Sequence, residues 1–135
     1  MSTRSAIIVK SGDIYKGVFC HWDGYPSHNG KILQEYYNSE EKALALVSLG
    51  FIDVLGPKLS PEPGIPHNYQ NRQKDTTSAI HRDCGEDLEI FSGNTVEEVE
   101  NLISDFVYSY VFENGFWKVN GESLELKLQN LGKDE

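Results

Sequence analysis

The stretch His21-Trp22-Asp23-Gly24-Tyr25-Pro26-Ser27-His28-Asn29-Gly30 constrains this chain more than any other. It separates a short apolar run, Val18-Phe19-Cys20, from a helical one that carries Ile32, Leu33, Tyr36 and Tyr37. Asp23-Gly24 is turn chemistry, because glycine accepts positive φ and an Asp side chain can bond its own backbone. Pro26 fixes φ and holds Tyr25 extended. Ser27 or Asn29 can cap the helix that follows. The stretch reads as a rigid strand-to-helix corner carrying aromatic and imidazole groups. A packing device and a binding wall are both open readings of it.

Around this corner the pattern predicts the remaining elements. Ala6 to Lys10 is β-branched and apolar, and Ile14 to Cys20 returns after Ser11-Gly12-Asp13, which makes a hairpin. Ser39 caps a second helix with Ala43, Leu44, Leu46 and Val47 on its apolar face, and Gly50 suits its left-handed end. Pro57 to Gln73 is irregular and holds four of the five prolines. So long a loop in a compact domain is functional or disordered more often than connective. Thr76 to Arg82 reads as a strand, Asp83 to Asp87 as a turn, and Leu88 to Phe91 as a short strand. Thr95-x-x-Glu98 is a capping box that opens a helix with Val96, Val99, Leu102 and Ile103. Phe106 to Phe112 is an aromatic strand, returned by Asn114-Gly115 into Phe116 to Val119. After Asn120-Gly121, the alternation of Leu124, Leu126 and Leu128 predicts a last strand. The sum is one α+β domain over residues 1–135: an antiparallel sheet with about three helices packed on one face and a long Pro-rich loop at 57–73. Tyr108 and Tyr110 offer a face for self-association.

Composition narrows the function. The net charge of −9 argues against a DNA-binding surface, which needs basic groups to displace counterions. It leaves room for a small anionic ligand held by a few cations, and the chain has only three arginines, Arg4, Arg72 and Arg82. No apolar run reaches membrane-spanning length, and the start of the chain lacks a long signal-peptide core, so the sequence predicts a soluble cytoplasmic protein. Cys20 and Cys84 read as free thiols rather than a disulfide. No Cys-x-x-Cys or His-x-x-x-His spacing supports a metal, and no cofactor motif is present.

Each chemical constellation has a structural alternative. His21 or His28 with Asp23 has the residue types of a general base, yet ordinary corners use the same residues. Gly-x-Ser-x-Gly is absent. Arg82 ahead of a glycine-containing turn can bind an anion or pair with Asp83, Glu86 or Asp87. Arg72, Tyr69 and His67 on the Pro-rich loop can clamp a nucleotide, Arg on phosphate and Tyr on a base, or be a solvated loop. Phe91 and Asn101 can serve as a stacking ring and an amide, or as packing. With no catalytic constellation, these residues lean towards a binding protein rather than an enzyme.

Three stretches carry a resemblance. Met1-Ser2-Thr3-Arg4-Ser5, the corner extended through Lys31-Ile32-Leu33, and His81-Arg82-Asp83-Cys84-Gly85-Glu86-Asp87 are similar, in that order, to the phage and bacterial Thoeris anti-defence proteins of the first type. The Pro-rich loop departs from that pattern, and Cys84 stands where a basic residue is frequent. The resemblance implies a sponge: a non-enzymatic protein of the bacterial host cytoplasm that holds glycocyclic ADP-ribose, the messenger of a TIR-domain enzyme, without cleaving it. It further implies a homo-oligomer, dimer or hexamer, and in some members a second site for cyclic oligonucleotides. Such a ligand asks for arginine on its diphosphate, an aromatic on adenine and amides on the riboses. The expected ligand-binding residues are Arg72 and Arg82 on phosphate with His81 beside them, Phe91 or Tyr69 on the base, and Asn101 on a ribose or phosphate. The competing readings are a hydrolase of a nucleotide messenger, and an acidic inhibitor that binds a host protein.

Overall fold

A computed structural model describes residues 3–64, 67, 73–85 and 88–133, leaving aside the side chains of Cys84 and of residues 131–133. The chain forms β1 (Ser5–Ser11), β2 (Ile14–Cys20), a π-helical turn over Pro26–Gly30, α1 (Lys31–Tyr36), α2 (Glu40–Val47) and β3 (Ile52–Val54). It continues through β4 (Ser78–Ala79), α3 (Ile80–Cys84), β5 (Phe91–Gly93) and α4 (Val96–Ile103). It closes with β6 (Tyr108–Glu113), β7 (Phe116–Val119), β8 (Glu122–Ser123) and α5 (Leu124–Lys133).

The strands make one sheet in the order β4-β3-β2-β1-β6-β7-β8, with β5 paired to β2 beside β3. The α+β class stands, but the sheet is mixed rather than antiparallel. β1 runs parallel to β6, setting Ala6 beside Ser109 and Ile8 beside Val111, and β2 runs parallel to β3 at Cys20 and Ile52. Both parallel pairs join strands that are distant in sequence, so no tight turn announces them.

Among the described residues there are five α-helices, and they cover both faces, against the expected three on one. β1 explains this, because its apolar run does not alternate with polar residues, as befits a strand buried on both sides. Ile7 and Val9 join Val18, Tyr110, Phe112 and Trp117 in a core covered by α1, α2 and α5 through Leu33, Leu46 and Leu124. Ala6 and Ile8 face the other way, with Val111, onto Val99 and Ile103 of α4. Gly17 permits that second layer: a Cβ there would lie 2.6 Å from Val99 Cγ1 and 3.0 Å from Ile8 Cγ1.

Ser39 accepts from the Lys42 amide at the start of α2, and Thr95 accepts from the Glu98 amide at the start of α4, as the sequence predicts. Several local readings change. The short strand expected over Leu88 to Phe91 starts only at Phe91, as β5. The strand expected from Thr76 to Arg82 shortens to β4 and turns at once into α3, because the Asp83 carboxylate accepts from the Ala79 amide at 2.8 Å. The strand expected at Leu124 to Leu128 is helix α5, in which Leu124 is fully buried while Leu126 is 60% exposed. A strand would have placed both on one face. Tyr110, expected at a self-association face, is buried in the core.

Candidate functional site

The corner is built by close approach rather than by a capped helix. Asp23, not Gly24, takes the left-handed backbone, with φ of 54°. Glycine is needed at 24 because a Cβ would meet the Thr3 carbonyl oxygen and Ser5 Cβ, both at 2.8 Å. The Gly24 amide donates to that same Thr3 carbonyl at 2.8 Å. Asn29 caps nothing. It is buried, and its amide donates to the Trp22 carbonyl at 3.2 Å and the Cys20 sulfur at 3.3 Å, with Ser5 Oγ at 3.4 Å. Its Oδ1 pairs with His28 Nδ1 at 2.9 Å. Burial pushes the Cys20 thiol up to about 12, although the Asn29 and Trp22 contacts act against the shift. This thiol is a core group rather than a nucleophile.

Among the described residues, neither histidine of the corner pairs with Asp23. Asp23 Oδ1 accepts from the Tyr25 phenol at 3.2 Å, and His28 faces Asn29. His21 packs edge-on against Trp22 with ring centroids 4.7 Å apart.

Beside the corner lies an open cleft of about 420 Å³. His28 and Ile32 form one wall, Val54 to Pro57 the base, and Gln73 to Thr76 the other wall. A knot of hydrogen bonds stiffens the base. The Tyr37 phenol donates to the Gly56 carbonyl at 2.7 Å, and the Gly56 amide donates to Thr77 Oγ1 at 3.0 Å. The ends of the Pro-rich stretch are stapled here too. Lys58 donates to the Asp75 carbonyl and accepts from the Thr77 amide, both at 2.9 Å. The Gln73 side chain clasps the Glu62 backbone from both sides, accepting at 2.8 Å and donating at 3.3 Å.

Behind this wall sits an ionic cluster whose imidazole and carboxylate are buried and whose guanidinium is partly exposed. Arg82 donates through Nε to Asp83 Oδ1 at 2.7 Å, through Nη1 to the Leu59 carbonyl at 2.7 Å and through Nη2 to the Thr77 carbonyl at 2.5 Å. Asp83, 6% exposed, also meets His67 Nε2 at 3.2 Å. The Gln73 amide donates to His67 Nδ1 at 3.0 Å, so the proton of a neutral ring is on Nε2, facing Asp83 and the Thr77 carbonyl. Of the two sequence readings of Arg82, the pairing with Asp83 is the arrangement present. The guanidinium works as a strut between α3, β4 and the Pro-rich stretch.

The expected ligand set does not converge. Arg72 and Tyr69 lie outside the described residues. Phe91 is half-buried against the core cluster under α4, Asn101 is on the exposed side of α4, and His81 is exposed on α3. The clefts at the corner, at the β6–β7 hairpin and beside α4 are lined by none of Arg82, Phe91, Asn101 or His81. Sequence reasoning missed Lys74, Gln73 and Ile32 as lining residues. His28, singled out as a base, lines the cleft as a wall residue. Among the described residues no cluster of His, Cys, Asp and Glu could hold a metal ion. Compared with protein-family models, with curated proteins and with solved structures, the chain matches none.

Proposed function

We propose that this chain is a binding protein that sequesters a cyclic nucleotide messenger of the ADP-ribose type without degrading it. One observation carries the reading. The corner, which bears the longest part of the resemblance to the Thoeris anti-defence proteins, supplies His28 to a cleft of about 420 Å³. That volume is within the roughly 300–1,000 Å³ of small-molecule sites. Lys74 lines the cleft and brings it a cation for a diphosphate. The stapled base suits a pre-formed site, which lowers the ordering cost of binding.

In this reading the protein acts in the cytoplasm of a bacterial host, as a homo-oligomer, and keeps a defence effector off by holding its messenger. Among the described residues no helix is long and apolar enough to cross a membrane. Phe91, Asn101 and His81 would belong to the site only if a second copy brought them to the cleft. Arg82 acts from behind the wall, by fixing it.

Native mass spectrometry of the protein with glycocyclic ADP-ribose, followed by heat release, tests the reading. A mass increase with intact ligand recovered supports a sponge, and Lys74→Ala should then weaken retention about tenfold without lowering thermal stability. Recovery of a cleaved product would identify a hydrolase instead. No mass increase well above micromolar ligand would sink the nucleotide reading and favour a protein partner.

A further inference from the structure

A second cleft, sharing no residue with the first, lies on the sheet face packed by α4. It measures about 460 Å³ and opens between Val96 and Glu100 of α4 and the outer side of β6 and β7. Val111 gives it an apolar wall, while Glu100 and Glu113 bring two carboxylates and Lys118 one ammonium. Lys118 Nζ is 4.0 Å from Glu113 Oε1 and 5.9 Å from the centre of the Phe116 ring, so the lysine is no tight partner of that carboxylate. Tyr15 donates to Glu113 Oε2 at 2.7 Å, and that bond raises the phenol's pKa.

Ser109 marks the cleft as more than an acidic patch. It is 3% exposed, yet among the described residues its Oγ has no hydrogen-bond partner. Its backbone is engaged, since the Ser109 amide donates to Asn120 Oδ1 at 2.8 Å and its carbonyl accepts from the Asn120 amide at 2.9 Å. Only the hydroxyl is left over, and a buried hydroxyl without a partner is costly. Native proteins keep few such groups, and each calls for an explanation.

We propose that this cleft binds a small aliphatic primary amine in its ammonium form. A primary ammonium has three N–H donors. The cleft has three acceptors for them, the Glu100 and Glu113 carboxylates and Ser109 Oγ, and Val96 and Val111 can take the alkyl chain. Two carboxylates against one ammonium leave the site negative, which disfavours an anionic ligand.

The test is a titration of the full chain with n-butylamine hydrochloride at physiological salt, followed by backbone amide chemical shifts. Saturating shifts around Ser109, Val111 and Asn120 are expected. Glu100→Gln should weaken binding about tenfold and Ser109→Ala several-fold, because each removes one acceptor. Glu97→Gln takes the same charge from an exposed position of the same helix and should change nothing. Tetramethylammonium, a cation without N–H donors, should not saturate. The proposal fails if butylamine gives no saturating shift at tens of millimolar. It also fails if Glu97→Gln weakens binding as much as Glu100→Gln, or if tetramethylammonium binds equally well, since either outcome means diffuse attraction to an acidic protein.

Discussion

The phenol of Tyr110, in the middle of β6, donates a hydrogen bond of 2.5 Å to the carbonyl of Gly24 in the corner. The ring is fully buried, and burial pushes the phenol well above its ordinary pKa. This bond fastens the corner to the centre of the sheet across 86 residues of sequence. Tyr110→Phe keeps the ring and removes the donor, leaving the Gly24 carbonyl without it. The expected cost is about 1–3 kcal/mol. It should be read as a lower urea midpoint with an unchanged slope. A midpoint equal to that of the parent would mean that the bond adds nothing.

Arg82 separates a strut from a ligand contact. Its guanidinium reaches Asp83, the Leu59 carbonyl and the Thr77 carbonyl at once. Arg82→Lys keeps the charge and loses the fork, so it should destabilise almost as much as Arg82→Ala, by about 2–3 kcal/mol for the alanine. Asp83 retains the Ala79 amide and His67, which keeps the loss below that of a fully orphaned buried charge. A group that served only to hold phosphate would leave the melting temperature of the free protein unchanged in both variants.

The local elements were legible where local chemistry makes them. The hairpin at Asn114-Gly115 takes positive φ at both residues, and the Ser39 and Thr95 caps form as their residue types dictate. What escaped sequence reading depends on partners far along the chain. The β1–β6 pairing has no turn to announce it. Leu124, Leu126 and Leu128 fit a strand or a helix until the core takes Leu124 and leaves Leu126 outside. The corner was visible as a unit, but the reason for Gly24 was not, because the atom it avoids belongs to Thr3. The cleft was the least legible, because its walls come from residues 28–32, 54–57 and 73–78, and only folding brings these together.

Gly17 sets the distance between α4 and the sheet. The β-carbon of an alanine there would stand 2.6 Å from Val99 Cγ1 and 3.1 Å from Ile103 Cδ1. These are side-chain ends, so α4 can shift, at a cost of about 1–3 kcal/mol for overpacking. Val99→Ala opens a cavity by itself and should cost about 1–3 kcal/mol. Joined to Gly17→Ala, it makes room for the new methyl. The double variant should therefore be more stable than the sum of the two losses predicts, by more than about 0.5 kcal/mol in a thermodynamic cycle. Strict additivity would show that α4 does not rest on this glycine.

Cys20 gives the protein an alkaline limit. Burial holds its thiol at about 12 in the folded chain, against about 8.5 for an unfolded one. Below pH 8.5 the thiol is protonated in both states and the stability it contributes is fully present. As pH rises towards 12 the unfolded chain loses the proton first, so stability falls by up to about 1.4 kcal/mol per pH unit. Tyr37 and Tyr110, also raised by burial, add to the fall only above pH 10. Cys20→Ser replaces the thiol by a hydroxyl that does not titrate in this range and can still accept from Asn29. Urea midpoints measured between pH 7.5 and 9.8 should drop more steeply for the parent than for Cys20→Ser, while any contribution from Cys84 cancels between the two. In the parent at pH 8, alkylation of Cys20 mapped by mass spectrometry should proceed only as fast as the chain opens. Equal slopes, or prompt alkylation of the native protein, would place this thiol in contact with solvent and remove it from the core described above.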